Sequence, residues 1–156
     1  MIQAKPSPLI LKEFAILKSE CVFNADQSDA SCNLLEKTAQ YPLEVDFGIS
    51  KDDEDDLYRV LAKVLINHYE DKETEPGYSI FVESAGFFTF NLDANLSDEN
   101  KQGMLQYSAV SMCITNMRLY IANMTSFFPL GKYNFPAIDM NSLLSDKVKN
   151  MQVNTE

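Results

Sequence analysis

The sequence predicts an α+β domain, a four-stranded antiparallel sheet followed by one long and one short helix. Three observations lead to it. β-Prone stretches with period-two patterning fill the chain up to Leu92. After Ser97 the apolar period changes to three and four residues, which is a helix period. A second, shorter helical stretch follows a loop punctuated by Pro129, Gly131 and Pro136.

Leu9 to Phe23, "LILKEFAILKSECVF", reads as a long strand with Phe14, Ile16 and Val22 on one side. A polar crossover from Asn24 to Tyr41 has Leu34–Leu35 as its only apolar pair. "PLEVDFGIS" alternates strictly, Leu43, Val45, Phe47 and Ile49 against Glu44, Asp46 and Ser50, the mark of a half-buried strand. The run "KDDEDD" (Lys51 to Asp56) has carboxylates that suit a hard cation. It lacks the glycine and the later glutamate of a calcium loop, so it reads as a solvated turn. In "LYRVLAKVLINHYE", Tyr58, Val60, Ala62, Val64 and Ile66 point inward, and Arg59, Lys63 and Asn67 take the other face. The fourth strand, "YSIFVESAGFFTFNL", contains Gly86, where a bulge or a close backbone approach is expected.

Ser97 suits a helix N-cap, and Asp98 and Glu99 suit the positive helix end. Val110, Ile114, Met117, Ile121 and Met124 form one apolar stripe, widened by Leu105, Met112, Leu119 and Tyr120. One sheet covers one side of a helix, so this breadth predicts a second subunit, with Val110, Ile114, Met117 and Ile121 at the oligomer interface. Pro129 ends the helix. Phe128, continuing the stripe from Met124, is assigned to packing. Asp139 or Asn141 caps the short helix "MNSLLSDKVKNM". Residues 1–156 are expected to form a single domain with its core at about 8–147.

With 23 acidic and 13 basic side chains the formal net charge is −10, which argues against nucleic acid and anionic membrane as partners. The N-terminus "MIQAKPSPLILKEF" lacks the pattern of a signal peptide, and no run approaches the ~18 apolar residues of a membrane span. A cytoplasmic protein without membrane insertion is expected. Cys21, Cys32 and Cys113 are odd in number and widely spaced, which does not suit a disulfide framework. His68 is the only histidine, so a zinc site would need close-set Cys or carboxylate ligands, and none occur. No nucleophile elbow, P-loop or dinucleotide fingerprint is present. Glu83 stands in an apolar strand without a catalytic partner. Neither an enzyme nor a cofactor nor a metal is expected.

The C-terminal half, "FVESAGFFTF", then "NMRLYIANMTSFFPL", then "YNFPAIDMNSLL", resembles the SecB family of export chaperones. The matching positions are Gly86, Phe88, Arg118, Pro129, Pro136 and Leu143, and "LKSECVFNA" is similar to the family's first strand, with Phe23 at its Phe. The resemblance spans roughly Pro8 to Asp146, in order and spacing more than in any one motif. The family's Tyr-Ala-Arg reads Asn116-Met117-Arg118 here, and its Pro-Ile/Val-Asn reads Pro136-Ala137-Ile138.

The resemblance implies a homotetramer that binds unfolded or non-native polypeptides without ATP or cofactor, as a holdase linked to protein export. It also implies apolar client grooves lined by the crossover, the sheet edge, the aromatic loop and the second helix. Here those elements supply Leu34, Leu35, Tyr41, Leu43, Val45, Phe127, Tyr133, Phe135 and Leu144. Of the acidic patch that meets the SecA motor, only Glu20 matches; Asn24 and Phe81 stand at the other positions, so a weak or missing SecA contact is expected. The alternatives are a SecB-like chaperone dedicated to one client, of the toxin–antitoxin type, and a hotdog-like small-molecule carrier or enzyme.

Overall fold

A computed structural model describes residues 1–24, 38, 40–52, 56–69 and 74–153. Strands β1 (Leu9–Asn24), β2 (Leu43–Asp52), β3 (Leu57–Ile66) and β4 (Gly77–Phe90) form one antiparallel sheet in the order β1-β4-β3-β2. After a 3-10 turn (Leu92–Ala94) come α1 (Asp98–Met104), a π turn (Leu105–Ala109) and α2 (Val110–Thr125), then α3 (Met140–Val153). The first three helical segments run on as one helix of 28 residues. The expected fold class is the observed one.

The inward face of the two central strands makes the core. Val60, Ala62, Val64 and Ile66 of β3 and Tyr78, Ile80, Val82 and Phe88 of β4 are buried under the long helix. β1 departs from the simple alternation. It bulges between Leu11 and Glu13 and again between Ile16 and Lys18. Each extra residue exchanges the two faces of a strand. Phe14 and Ile16 therefore meet the core, while beyond the second bulge Cys21 and Phe23 do so, and Val22 is exposed rather than beside them.

Gly86 shows close approach. A Cβ there would stand 2.6 Å from Cys113 Sγ and 2.8 Å from the Phe88 ring, so the long helix and the sheet touch through the missing side chain. Asn67 also differs from expectation. It leaves the strand with φ 47° and is fully buried, not on the outer face. Its side-chain amide nitrogen donates to the carbonyls of Glu75 (2.8 Å) and Tyr78 (2.7 Å), its oxygen accepts from Glu75 N–H (3.0 Å), and its own N–H reaches Pro42 O (3.0 Å). One residue thus ends β3 and ties the starts of β2 and β4 together.

Ser97 caps the long helix, accepting Asn100 N–H at 3.3 Å. Val110, Ile114, Met117 and Ile121 are buried against the chain's own sheet, so the four side chains expected at an oligomer interface are enclosed within one chain. Thr125, at the end of the helix, is met by the loop after Pro129, which carries the buried Tyr133 and Phe135. The helix leaves outward a mixed face that includes Tyr107, Thr115, Leu119 and Asn123.

Candidate functional site

The aromatic loop is fastened to the core by a sequence of hydrogen bonds. Thr125 Oγ1, buried at the end of α2, donates to Ile121 O and accepts Tyr133 N–H, each at 2.8 Å. Tyr78 Oη donates to Gly131 O, where φ is +70°. Tyr133 stacks on Tyr41 (centroids 6.4 Å, 13° between planes) and meets Tyr78 edge-on at 6.3 Å. Tyr41 Oη donates to Pro76 O at 2.7 Å, linking the entry to β2 with the entry to β4. Arg118 lays its guanidinium over the Phe135 ring at 5.4 Å and donates from Nη2 to Pro136 O at 2.9 Å. Its buried Nε has no hydrogen-bond partner among the described residues.

So fastened, the loop delivers residues 137–139 to the start of α3. Asp139 is the cap, its Oδ1 accepting Asn141 N–H (2.9 Å) and Ser142 N–H (3.3 Å). α3 then runs beside β2, an edge strand, and an open groove of about 260 Å³ lies between them. Leu43 and Val45 line it from β2, Ala137, Ile138 and Asp139 from the loop, and Ser142, Leu143 and Asp146 from α3. Lys147, the residue after Asp146, ties α3 to β2, with Nζ 2.5 Å from Asp46 Oδ1 and 5.6 Å from the Phe47 ring centre.

Of the residues expected in a groove, Leu43 and Val45 are brought together at this one. Leu144 is half-buried and packs against the core, and Tyr41 is buried under Tyr133. Tyr133 and Phe135, assigned to the groove from sequence, are each 6% exposed within the core. They shape the loop from beneath rather than face outward, because Thr125 and Arg118 hold them there. Phe128, assigned to packing, does pack, edge-on to Tyr78 at 6.1 Å. Phe127 is 92% exposed. Leu34 and Leu35 lie outside the described residues. Glu20 is exposed on β1, in register with Phe81, whose half-buried ring lies under the Lys18 and Lys63 ammonium groups at 4.9 and 5.2 Å. Ile138 and Leu143 were missed as groove residues. The signal was their position either side of the Asp139 cap, where the first turn of an amphipathic helix sets its apolar face.

Burial pushes the Tyr133 phenol up to about 12, with the neighbouring Tyr41 adding to it, and pushes the Cys113 thiol up to about 12 and Cys21 to about 11. Thiols in such surroundings are poor nucleophiles and poor ligands. Among the described residues no group of three or more His, Cys, Asp or Glu is placed to hold a metal ion. No helix among them is long and apolar enough to cross a membrane.

Comparison with solved structures identifies the architecture. The chain superposes on a SecB-like chaperone from Mycobacterium tuberculosis, Rv1957, solved with a ChAD peptide from the HigA1 antitoxin, at a TM-score of 0.59. The match covers 84% of this chain and 91% of that one, at 12% identity. The fold is SecB-like. A protein of unknown function from Streptococcus agalactiae also matches, with a TM-score of 0.37 at 10% identity over 83% of this chain and 97% of that one. No family model matches the sequence, and no curated protein does. Three of the six positions that carried the resemblance lie here: Arg118 bonds to Pro136 O, and Leu143 lines the groove.

Proposed function

We propose that this chain is an ATP-independent holdase that binds non-native polypeptide segments in the groove between β2 and α3. The observation that carries the proposal is the apolar lining of Leu43, Val45, Ile138 and Leu143 beside an edge strand. A groove of this size takes one large side chain at a time, worth about 1.5–3 kcal/mol when buried. Useful affinity for a long client then needs several such grooves on one assembly, joined through effective concentration. Action as a homo-oligomer, a tetramer foremost, follows from that requirement. Its contacts would use the outward helix face and strand edges rather than Val110, Ile114, Met117 and Ile121, and Phe127 would offer a further apolar foothold for clients.

The protein's place is taken to be the cytoplasm, acting as a single SecB-like domain without a cofactor. A link to export through a SecA-type motor has only Glu20 in its favour. A second reading, a chaperone dedicated to one client, is supported by the antitoxin peptide in the structurally similar chaperone. One experiment separates the two. An unrelated reduced, unfolded protein is warmed with the chain in the absence of ATP, and light scattering is followed. A general holdase suppresses scattering near one groove per client segment. A dedicated one leaves it unchanged, while protecting a client found by co-purification. Failure in both arms overturns the proposal.

A further inference from the structure

Arg118 stands half-buried on the long helix, with its guanidinium over the Phe135 ring and Nη2 donating to Pro136 O at 2.9 Å. That bond reaches an exposed residue, whose carbonyl oxygen water can serve equally. To make it, the chain keeps Nε buried and without a hydrogen-bond partner among the described residues. A buried donor without an acceptor is unfavourable, and an apolar side chain of similar reach avoids it. Folding stability therefore does not explain why an arginine stands here. Its place along the chain does. Tyr133 N–H is tied to Thr125 Oγ1, and Asp139 O accepts Leu143 N–H in the first turn of α3. Across residues 134–138, between these two points, the main chain makes one hydrogen bond to a described residue, that of Pro136 O with Arg118. Immediately beyond it come Ala137, Ile138 and Asp139, the loop wall of the groove.

We propose that Arg118 is the positioning residue of the groove, kept for the place it gives the loop wall and against the stability of the fold. The proposal rests on the reading of the groove as the client site. The proline ring fixes φ at Pro136 but leaves ψ free, so the ring alone does not decide which way the chain leaves it. A peptide unit is planar, so holding the Pro136 carbonyl fixes the plane of the whole Pro136–Ala137 unit. Ile138, one residue further, then takes one place in the groove. A wall already in place needs no ordering when a client arrives. A wall free to turn about Pro136 is receptive only part of the time, and apparent affinity falls by that fraction. Arg118 acts through the wall and not by touching the client.

The test compares wild type, Arg118→Met and Arg118→Lys. Each is melted, and each is titrated, well below its Tm, into fluorescein-labelled lysozyme that has been reduced and carboxymethylated so that it stays unfolded. Methionine keeps an apolar stem over Phe135 and removes both the bond to Pro136 O and the unpartnered donor. Arg118→Met is expected to melt at or above the wild-type temperature and to bind the unfolded chain about five- to ten-fold more weakly. Lysine drops Nε and keeps a charged donor for the Pro136 carbonyl, so Arg118→Lys should melt like wild type and recover part of the affinity. A lower Tm in Arg118→Met means that the arginine serves stability, and it overturns the proposal whatever the affinity. Unchanged affinity in Arg118→Met, or no recovery in Arg118→Lys, overturns it as well and leaves the holdase reading intact. Failure of the wild type itself to bind the unfolded chain strikes the groove reading and this proposal together.

Discussion

Replacing Thr125 by Val tests how the aromatic loop is held. The two side chains have the same shape, so the change removes one hydroxyl and little else. In the wild type that hydroxyl is fully buried and accepts Tyr133 N–H at 2.8 Å. Without it the Tyr133 N–H stays buried without a partner, a cost of about 1–3 kcal/mol. The methyl group gained returns at most about 0.8 kcal/mol. The hydroxyl's other bond, to Ile121 O, falls on a carbonyl that already accepts a main-chain donor within the helix. A net loss of about 1–2 kcal/mol is expected, read in urea as a lower midpoint with an unchanged slope. For a chain of this length it corresponds to a fall in Tm of roughly 2–8 °C. Thr125→Ser, which keeps the acceptor, should lose much less of the bond. Equal stability of Thr125→Val and wild type would refute the idea that this hydroxyl fastens the loop.

Other expectations follow from burial and proximity. Phe135→Ala should cost about 3–5 kcal/mol, because its ring is enclosed beneath Arg118, whereas Phe127→Ala should leave the melting temperature almost unmoved. The opposite ranking in thermal denaturation would reverse their assignments. Gly86→Ala should destabilise by about 1–3 kcal/mol through the clash with Cys113 Sγ, and Cys113→Ala in the same chain should relieve part of it; additive effects in a double-mutant cycle would contradict the contact. Stability should also fall in alkali. Cys113 and Tyr133 hold their protons more tightly folded than unfolded, so their contribution is complete below the unfolded values of 9 and 10 and is lost as pH rises to about 12. The slope is up to about 1.4 kcal/mol per pH unit per group, and Cys113→Ala should make the decline above pH 9 shallower, leaving the part that Cys21 contributes, in a urea titration at each pH.

Much of the fold was legible because its local signals agree with each other. Strict alternation in "LEVDFGI" and "YRVLAKVLI" and the capped stripe after Ser97 state their elements directly. What was hidden depends on contacts distant in sequence. The bulges in β1 that turn Val22 outward answer to the register with β4. Asn67 reads as an ordinary exposed strand residue until its amide is seen bridging Glu75 and Tyr78. The breadth of the helical stripe was legible, but not that Val110, Ile114, Met117 and Ile121 meet the chain's own sheet while Leu119 stays exposed. The loop of aromatic residues is drawn in by Thr125 and Arg118, two contacts that no local pattern announces. Tyr133 and Phe135 looked like groove residues and are buried in the core. Leu43 and Val45 could be found from alternation alone, since an inward residue on an edge strand is covered only if a neighbouring element reaches it. Ile138 and Leu143 required knowing which way α3 leaves its cap.

The central claim is that non-native chains are held at the β2–α3 groove, and photo-crosslinking tests it most directly. A benzophenone side chain is placed at Ile138, at Leu143, or at Leu92, which is 85% exposed near the opposite end of the sheet. Each variant is irradiated with an unfolded, labelled polypeptide. The groove account predicts strong crosslinks from Ile138 and Leu143, lost on competition with an excess of the same polypeptide unlabelled, and background from Leu92. Equal labelling from all three positions, or labelling from Leu92 alone, would contradict it.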